Sequence, residues 1–289
     1  MNRSLASHRN LCAAPGRRGL GTLLLGAVLA LPALSAPALD PRWKLVWADE
    51  FDQPGRPDPS KWNYEKGRIR NHELQYYTVD RAENARVEDG CLVIEGRHED
   101  FSGATYTAAS LITRGKAAWT YGRVEVKAKL PAARGTWPAI WMLGNDKGKV
   151  GWPRCGEIDS MEHVGHEPGA IHGTVHTGKY NHVQHTAKGG TLAVPDATAA
   201  FHVYAIEWDA EKIAFFVDDK NYFTFKRDPG AGDDAWPFDH DCFLLLNLAI
   251  GGAWGGQKGV DAAAFPQQLR IDYVRVYQRK TDTAGAVNP

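Results

Sequence analysis

Three acids fall within six positions of the segment GEIDSMEHVG at 156–165: Glu157, Asp159 and Glu162, set among apolar or small neighbours. Residues i and i+2 of a strand share a face, so Glu157 and Asp159 project together while Ile158 turns to the opposite layer. Glu162 breaks that alternation. Strict parity would set Met161 beside Asp159, so Glu162 joins the other acids only if one extra residue is taken up in a β-bulge around Ser160 and Met161. Three like charges on one surface repel, which holds at least one carboxyl protonated near neutral pH. A protonated carboxyl beside an ionised one is the pairing that cleaves glycosidic bonds, one group as acid and the other as nucleophile. Two plainer readings stay open on these residues alone. One is a solvated strand face with alternating charge. The other is an oxygen-rich cation site, although the segment lacks the Asp/Asn/Gly spacing of an EF-hand loop.

The flanking residues bear on that choice. GTWPAIWMLG (135–144) and HGTVHTG (172–178) surround the acids with Trp and His. Sugar C–H faces stack on flat rings, and tryptophan offers the largest face. Trp137 and Trp141 are four apart on one strand and share a face, which makes them candidate substrate contacts. Trp254, in the run GGAWGG, is expected at a cleft rim, whereas Trp43 and Trp208 read as core. Six histidines crowd between 163 and 185, but their spacing mixes faces and Cys155 is the single thiol nearby, so they do not read as a metal cage. His176 is the one expected to partner the acid pair. Cys155 itself reads as a buried small hydrophobe rather than a nucleophile.

Strands must position these groups. In GRVEVKAKLP (122–131) Val124, Val126, Ala128 and Leu130 share one face and Arg123, Glu125, Lys127 and Lys129 the other, the pattern of a half-buried antiparallel strand. Similar runs follow at 91–97, 139–144, 201–208, 212–219, 242–250 and 269–278, with a hairpin turn at Asp218-Asp219-Lys220-Asn221. No long segment shows a capped helical period. The pattern predicts an all-β fold: a jelly-roll sandwich of two curved antiparallel sheets, concanavalin-like, with the last strand pairing near the first.

No linker, repeat or charge block interrupts residues 41–279, which are expected to form a single β-sandwich domain with a tail at 280–289. The first 38 residues differ in kind. A basic start (Arg3, Arg9, Arg17, Arg18), an apolar stretch from Leu20 to Leu34 and the small residues Ser35, Ala36 and Ala38 read as a signal peptide cleaved near 35–38. Arg17-Arg18 adds a twin-arginine flavour. The apolar stretch is short of the ~20 residues a membrane span needs, so the chain is expected to be secreted or periplasmic, with no membrane partner. The 289-residue chain has zero formal charge, and removal of the leader leaves 30 basic against 34 acidic residues. Nothing in that balance recruits nucleic acid. Cys91, Cys155 and Cys242 then remain, an odd number that permits at most one internal disulfide.

Taken together, ADEFD (48–52), NHELQYYT (71–78), GRVEVKAKLP, GTWPAIWMLG, GEIDSMEHVG, HGTVHTG, YAIEWD (204–209), LNLAIGGAWGG (246–256) and IDYVRVYQ (271–278) resemble glycoside hydrolase family 16, and within it the laminarinase-type endo-β-1,3-glucanases. The resemblance runs from about Trp43 to Gln278. It implies a β-glucan substrate, a monomer, and catalysis without a cofactor by retaining double displacement: Glu157 the nucleophile, Glu162 the acid/base, and Asp159 tuning the nucleophile's charge. The spacing E-x-D-x-x-E resembles laminarinases more than lichenases, which have one residue fewer before the last acid. The same resemblance implies that Asn71, Glu73, Arg114, Trp137 and Trp141 line the glycone side and that Trp254 and Gln257 border the cleft. Ala253 stands where many relatives have Asn, which removes one polar sugar contact. The family's structural Ca²⁺ would fall to Glu50, the Gly90 carbonyl and Asp272. A mixed-linkage glucanase and a non-catalytic glucan-binding module are the alternatives on the same fold.

Overall fold

The computed structural model describes residues 40–280; the expected leader at 1–38, and all of the expected tail but Lys280, lie outside them. The first strands in chain order are β1 (Trp43–Asp49), β2 (Asn63–Tyr64), β3 (Gln75–Tyr77), β4 (Ala85–Glu88), β5 (Cys91–Phe101), β6 (Ala104–Ala108), β7 (Ser110–Ile112) and β8 (Gly122–Lys129). They are followed by β9 (Thr136–Gly144), β10 (Glu157–Glu162), β11 (Ala170–His176), β12 (Lys188–Ala193) and β13 (His202–Trp208). The last four are β14 (Lys212–Val217), β15 (Lys220–Lys226), β16 (Cys242–Ile250) and β17 (Gln267–Arg279). Among the described residues the helices are a single turn at Lys147–Val150 and a 3₁₀ turn at Ala262–Ala264, and none is long and apolar enough to cross a membrane.

The strands form two sheets. The larger runs β15-β14-β13-β8-β17-β5-β6-β3, with β1 paired to β17 and β4 to β5; the smaller runs β12-β11-β10-β9-β16-β7-β2. The last strand does pair with the first, from Trp43 opposite Arg279 to Asp49 opposite Val274. Every pair is antiparallel except β3 with β6, which is parallel. The core lies between the sheets, where Val124, Val126 and Ala128 of β8 meet Ile140, Met142, Ile158, Met161, Leu244 and Leu246 from the other sheet. All nine residues of β16 are buried, because one face lies on this core and the other under the cleft described below. The β14–β15 hairpin turns at Asp218 and Asp219 with φ of 48° and 62°, the mirror-image turn that matches strand twist.

Two expectations need correction. The charged face of β8 is not solvated: Arg123 and Glu125 are buried, because the Arg123 guanidinium is ringed by Glu125, Glu207 and Asp219 at 2.5, 2.9 and 2.7 Å. Trp208 is core, with Nε1 donating to the Phe238 carbonyl, but Trp43 is half-buried at the start of β1, with the Arg279 guanidinium 5.3 Å from its ring. The three cysteines are buried and free, and burial, aided by the nearby Glu157 charge, pushes the Cys155 thiol up to about 11.

Register brings the expected Ca²⁺ ligands to one region. β17 leaves β5 after Ile271 and takes up β1 at Val274, so Asp272 falls between the β4–β5 turn holding Gly90 and the end of β1 before Glu50. Glu50, however, accepts two hydrogen bonds from Arg275, each at 2.8 Å, and Asp272 pairs with Lys127 at 2.6 Å. Ca²⁺ takes roughly six to eight oxygen ligands. Each of the two carboxylates thus has a protein cation beside it.

Ile158 is fully buried between the acids that face the other way. Ile158→Ala should cost about 2–5 kcal/mol through the cavity it leaves. Denaturant unfolding checks this, and a loss below ~1 kcal/mol would show that the inward face of β10 does not anchor the strand.

Candidate active site

A cleft of about 620 Å³ lies on the outer face of the smaller sheet. Its floor comes from alternate residues of four strands: Trp137, Ala139 and Trp141 of β9, Glu157, Asp159 and Glu162 of β10, Thr174 and His176 of β11, and Asn247 and Ala249 of β16. The bulge is where the spacing placed it. On β9, Glu157, Asp159 and Glu162 face Leu143, Trp141 and Ala139, with the register slipping between Asp159 and Met161. On β11 the same acids face His176, Thr174 and His172. Three residues on β10 therefore oppose two on each neighbour. Met161 turns into the core, opposite Ile140, and Glu162 returns to the cleft face.

Each glutamate is held by an indole. Trp152 Nε1 donates to Glu157 Oε2 at 2.9 Å, and Trp137 Nε1 donates to Glu162 Oε1 at 3.0 Å. His176 meets the acid pair as expected, its Nε2 lying 3.4 Å from Asp159 Oδ2 and 3.8 Å from Glu157 Oε1. Burial, together with the His182 ring, lowers His176 to about 4, so it is neutral near pH 7. Glu157, Asp159 and His176 are the one group of three such side chains close enough to share a cation among the described residues, with ligand atoms within 4.8 Å. The other histidines scatter: His166 and His172 meet Glu167, and His182 stacks near Trp152.

The electrostatics of the three acids differ. Burial raises all of them. Glu157 reaches about 7, with the Trp152 hydrogen bond and the charges of Arg70 and Lys147 pulling it back toward ionisation. Glu162 also reaches about 7, but no cation faces it; Trp137 pulls it back and the Glu157 charge pushes it up. Asp159 lies well above its ordinary value, through burial first and then the charges of Glu157 and Glu162. The arrangement therefore offers two buried glutamates poised near neutral pH, one with cations nearby and one without, and between them an aspartate pushed toward its protonated form.

Asn71, Glu73, Trp137, Trp141, His176 and Trp254 line the cleft, and Trp254 meets Trp137 edge to face at 5.6 Å. Two expected residues do not. The Arg114 guanidinium lies over Phe243 at 5.7 Å, and the Gln257 amide donates to the Ala253 carbonyl, closing its own loop. Arg70, Trp152 and Asn247 line the cleft without having been anticipated. Arg70 directly precedes NHELQYYT and Asn247 lies inside LNLAIGGAWGG, so motif adjacency was the signal available. Trp152, in a loop five residues before Glu157, had no periodic signal.

The profile of glycosyl hydrolases family 16 matches residues 71–275. A β-glucanase of Rhodothermus marinus is 55% identical over 265 residues, covering 88% of this chain and 93% of that protein. Among solved structures, the laminarinase of Rhodothermus marinus superposes with a TM-score of 0.79 at 55% identity, covering 82% of this chain and 98% of its own. SCLam, a non-specific endo-β-1,3(4)-glucanase, superposes with a TM-score of 0.80 at 50% identity, covering 84% of this chain and 94% of its own.

The Trp137 hydrogen bond lowers the Glu162 pKa, so Trp137→Phe should move the Glu162 titration upward from about 7. Carboxyl ¹³C NMR across the pH range measures this. A midpoint that stays put or falls would mean that the indole does not favour the carboxylate.

Proposed function

The chain belongs to glycosyl hydrolases family 16, and from that premise we infer that it is an endo-acting glucanase cutting internal β-1,3-glucosidic bonds of laminarin-like glucans. One observation carries the reading: the bulge at Ser160 and Met161 sets two indole-held glutamates and an aspartate on one cleft face. A non-catalytic glucan-binding module would have no use for that arrangement.

Unequal surroundings assign the roles. Arg70 and Lys147 favour the ionised form of Glu157, which makes it the nucleophile. Glu162 lacks a facing cation and feels the Glu157 charge, which keeps it protonated until the leaving oxygen takes the proton. Glu157 attacks the anomeric carbon as that bond breaks, giving a covalent glycosyl-enzyme; Glu162 then deprotonates the water that releases the sugar, with retention. Asp159, holding its proton beside Glu157, limits the negative charge on the nucleophile before attack. Trp137, Trp141 and Trp254 supply ring faces and edges for sugar rings. Mixed-linkage β-1,3-1,4-glucan is the second reading, favoured by the likeness to the non-specific SCLam. The leader pattern of residues 1–38 supports action outside the cytoplasm.

Glu157→Gln and Glu162→Gln should each lower kcat on laminarin by about 10²–10⁴-fold or more, as loss of a positioned acid, base or nucleophile does. Near-native reducing-sugar release by either variant would sink the assignment. Product profiles of the unaltered enzyme on laminarin, lichenan, curdlan and agarose separate the two substrate readings.

A further inference from the structure

From the cleft floor a line of hydrogen bonds runs in one direction. The Trp141 Nε1–H donates to Asn247 Oδ1 at 2.7 Å, Asn247 Nδ2 donates to the Tyr77 hydroxyl oxygen at 3.0 Å, and that hydroxyl donates to Glu73 Oε2 at 3.3 Å. Each direction follows from the one before. An indole N–H has no acceptor capacity, so the Asn247 carbonyl must face it and the Asn247 amide nitrogen must face Tyr77. The single phenolic proton is then left for the Glu73 carboxylate. A flipped Asn247 would set donor against donor.

The line is buried and anchored at its far end. Trp141, Asn247, Tyr77 and Glu73 are 8%, 5%, 0% and 4% exposed. Glu73 Oε2 also accepts from Gln75 Nε2 at 2.6 Å, and Gln75 Oε1 accepts the Ile250 backbone N–H at 2.7 Å, which ties the end of β16 to the same anchor. Asn71 Nδ2 donates to Glu73 Oε1 at 3.3 Å, so a residue of the cleft wall shares the anchor with the floor. The Arg70 guanidinium sits 5.0 Å from the Trp141 ring and 6.0 Å from the Tyr77 ring, held in an ion pair with Glu65, which also accepts from Ser110 Oγ at 2.7 Å.

We propose that Tyr77 and Asn247 are positioning residues for Trp141, and that Glu73 is the fixed acceptor that sets the sense of the whole line. Trp141 is then aimed by a carboxylate through two intervening side chains, and glucan affinity depends on Tyr77, which does not line the cleft. The proposal rests on the β-1,3-glucanase reading for its ligand.

The test measures binding of a linear β-1,3-gluco-pentasaccharide by calorimetry in a Glu157→Gln background, and KM and kcat on laminarin in otherwise unaltered enzyme. Tyr77→Phe removes one link and should weaken binding and raise KM by about 3- to 10-fold, the range of one buried hydrogen bond, with kcat changed by less than about twofold. Asn247→Asp keeps the acceptor for Trp141 but removes the donor to Tyr77, so it should weaken binding at least as much. Wild-type affinity and KM in folded Tyr77→Phe, with or without a lower melting temperature, would overturn the proposal whatever Asn247→Asp does, because Tyr77 does not line the cleft, Asn247 does, and a merely structural role moves stability alone. Absence of pentasaccharide binding in the Glu157→Gln parent, with no laminarin turnover by the unaltered enzyme, would instead count against the glucanase reading.

Discussion

One inserted residue governs the cleft. Side chains on a strand alternate with a period of two, so five intervals between Glu157 and Glu162 would by themselves send the second glutamate into the core. The sheet absorbs the odd residue at Ser160 and Met161, where three positions of β10 oppose two on β9 and two on β11. Met161 then fills the core beside Ile140, and Glu162 meets the Trp137 indole instead. A bulge confined to one strand of an otherwise regular sheet leaves the flanking strands in register, so Trp137, Trp141, Thr174 and His176 remain on the acids' face.

That geometry creates the electrostatic problem that the surrounding residues resolve. Three carboxyls on one partly dry face cannot all be ionised, and each is pushed upward by burial. Separation of roles comes from what else each one sees. Arg70 and Lys147 act on Glu157, the neighbouring carboxylate acts on Glu162, and Asp159 feels both glutamates. Neutral His176 fills the space beside Asp159 and Glu157 without adding a charge. The tryptophans serve twice, since Trp137 and Trp152 present ring surface to the cleft and spend their N–H groups on the two glutamates.

Much of this was legible in the chain, for identifiable reasons. Alternation located β8, β9, β13, β14 and β17, and the parity break located the bulge, because both are properties of local periodicity. The acids, His176 and the Trp137/Trp141 pair follow from the same period. Periodicity is silent about loops, so Trp152 and Arg70 were missed although they contact or polarise Glu157. It is equally silent about what covers an outward face, so buried Arg123 and Glu125 read as solvated. Arg114 and Gln257 carried roles taken from resemblance, and their side chains turn to Phe243 and to the Ala253 carbonyl instead. The parallel pairing of β3 with β6 had no signal in either short strand.

The central claim is that parity, restored by the bulge, aims Glu162 into the cleft. Deleting Ser160 tests it most directly, because E-I-D-M-E alternates without a bulge and still sets all three acids on one face. The account expects the deletion variant, with its melting transition intact, to hydrolyse laminarin at a measurable rate, reduced by about 10²-fold at most for a displacement of roughly 1 Å. Folded protein as inactive as Glu162→Gln would contradict it, and would show that the bulge supplies something other than the direction in which the glutamate points.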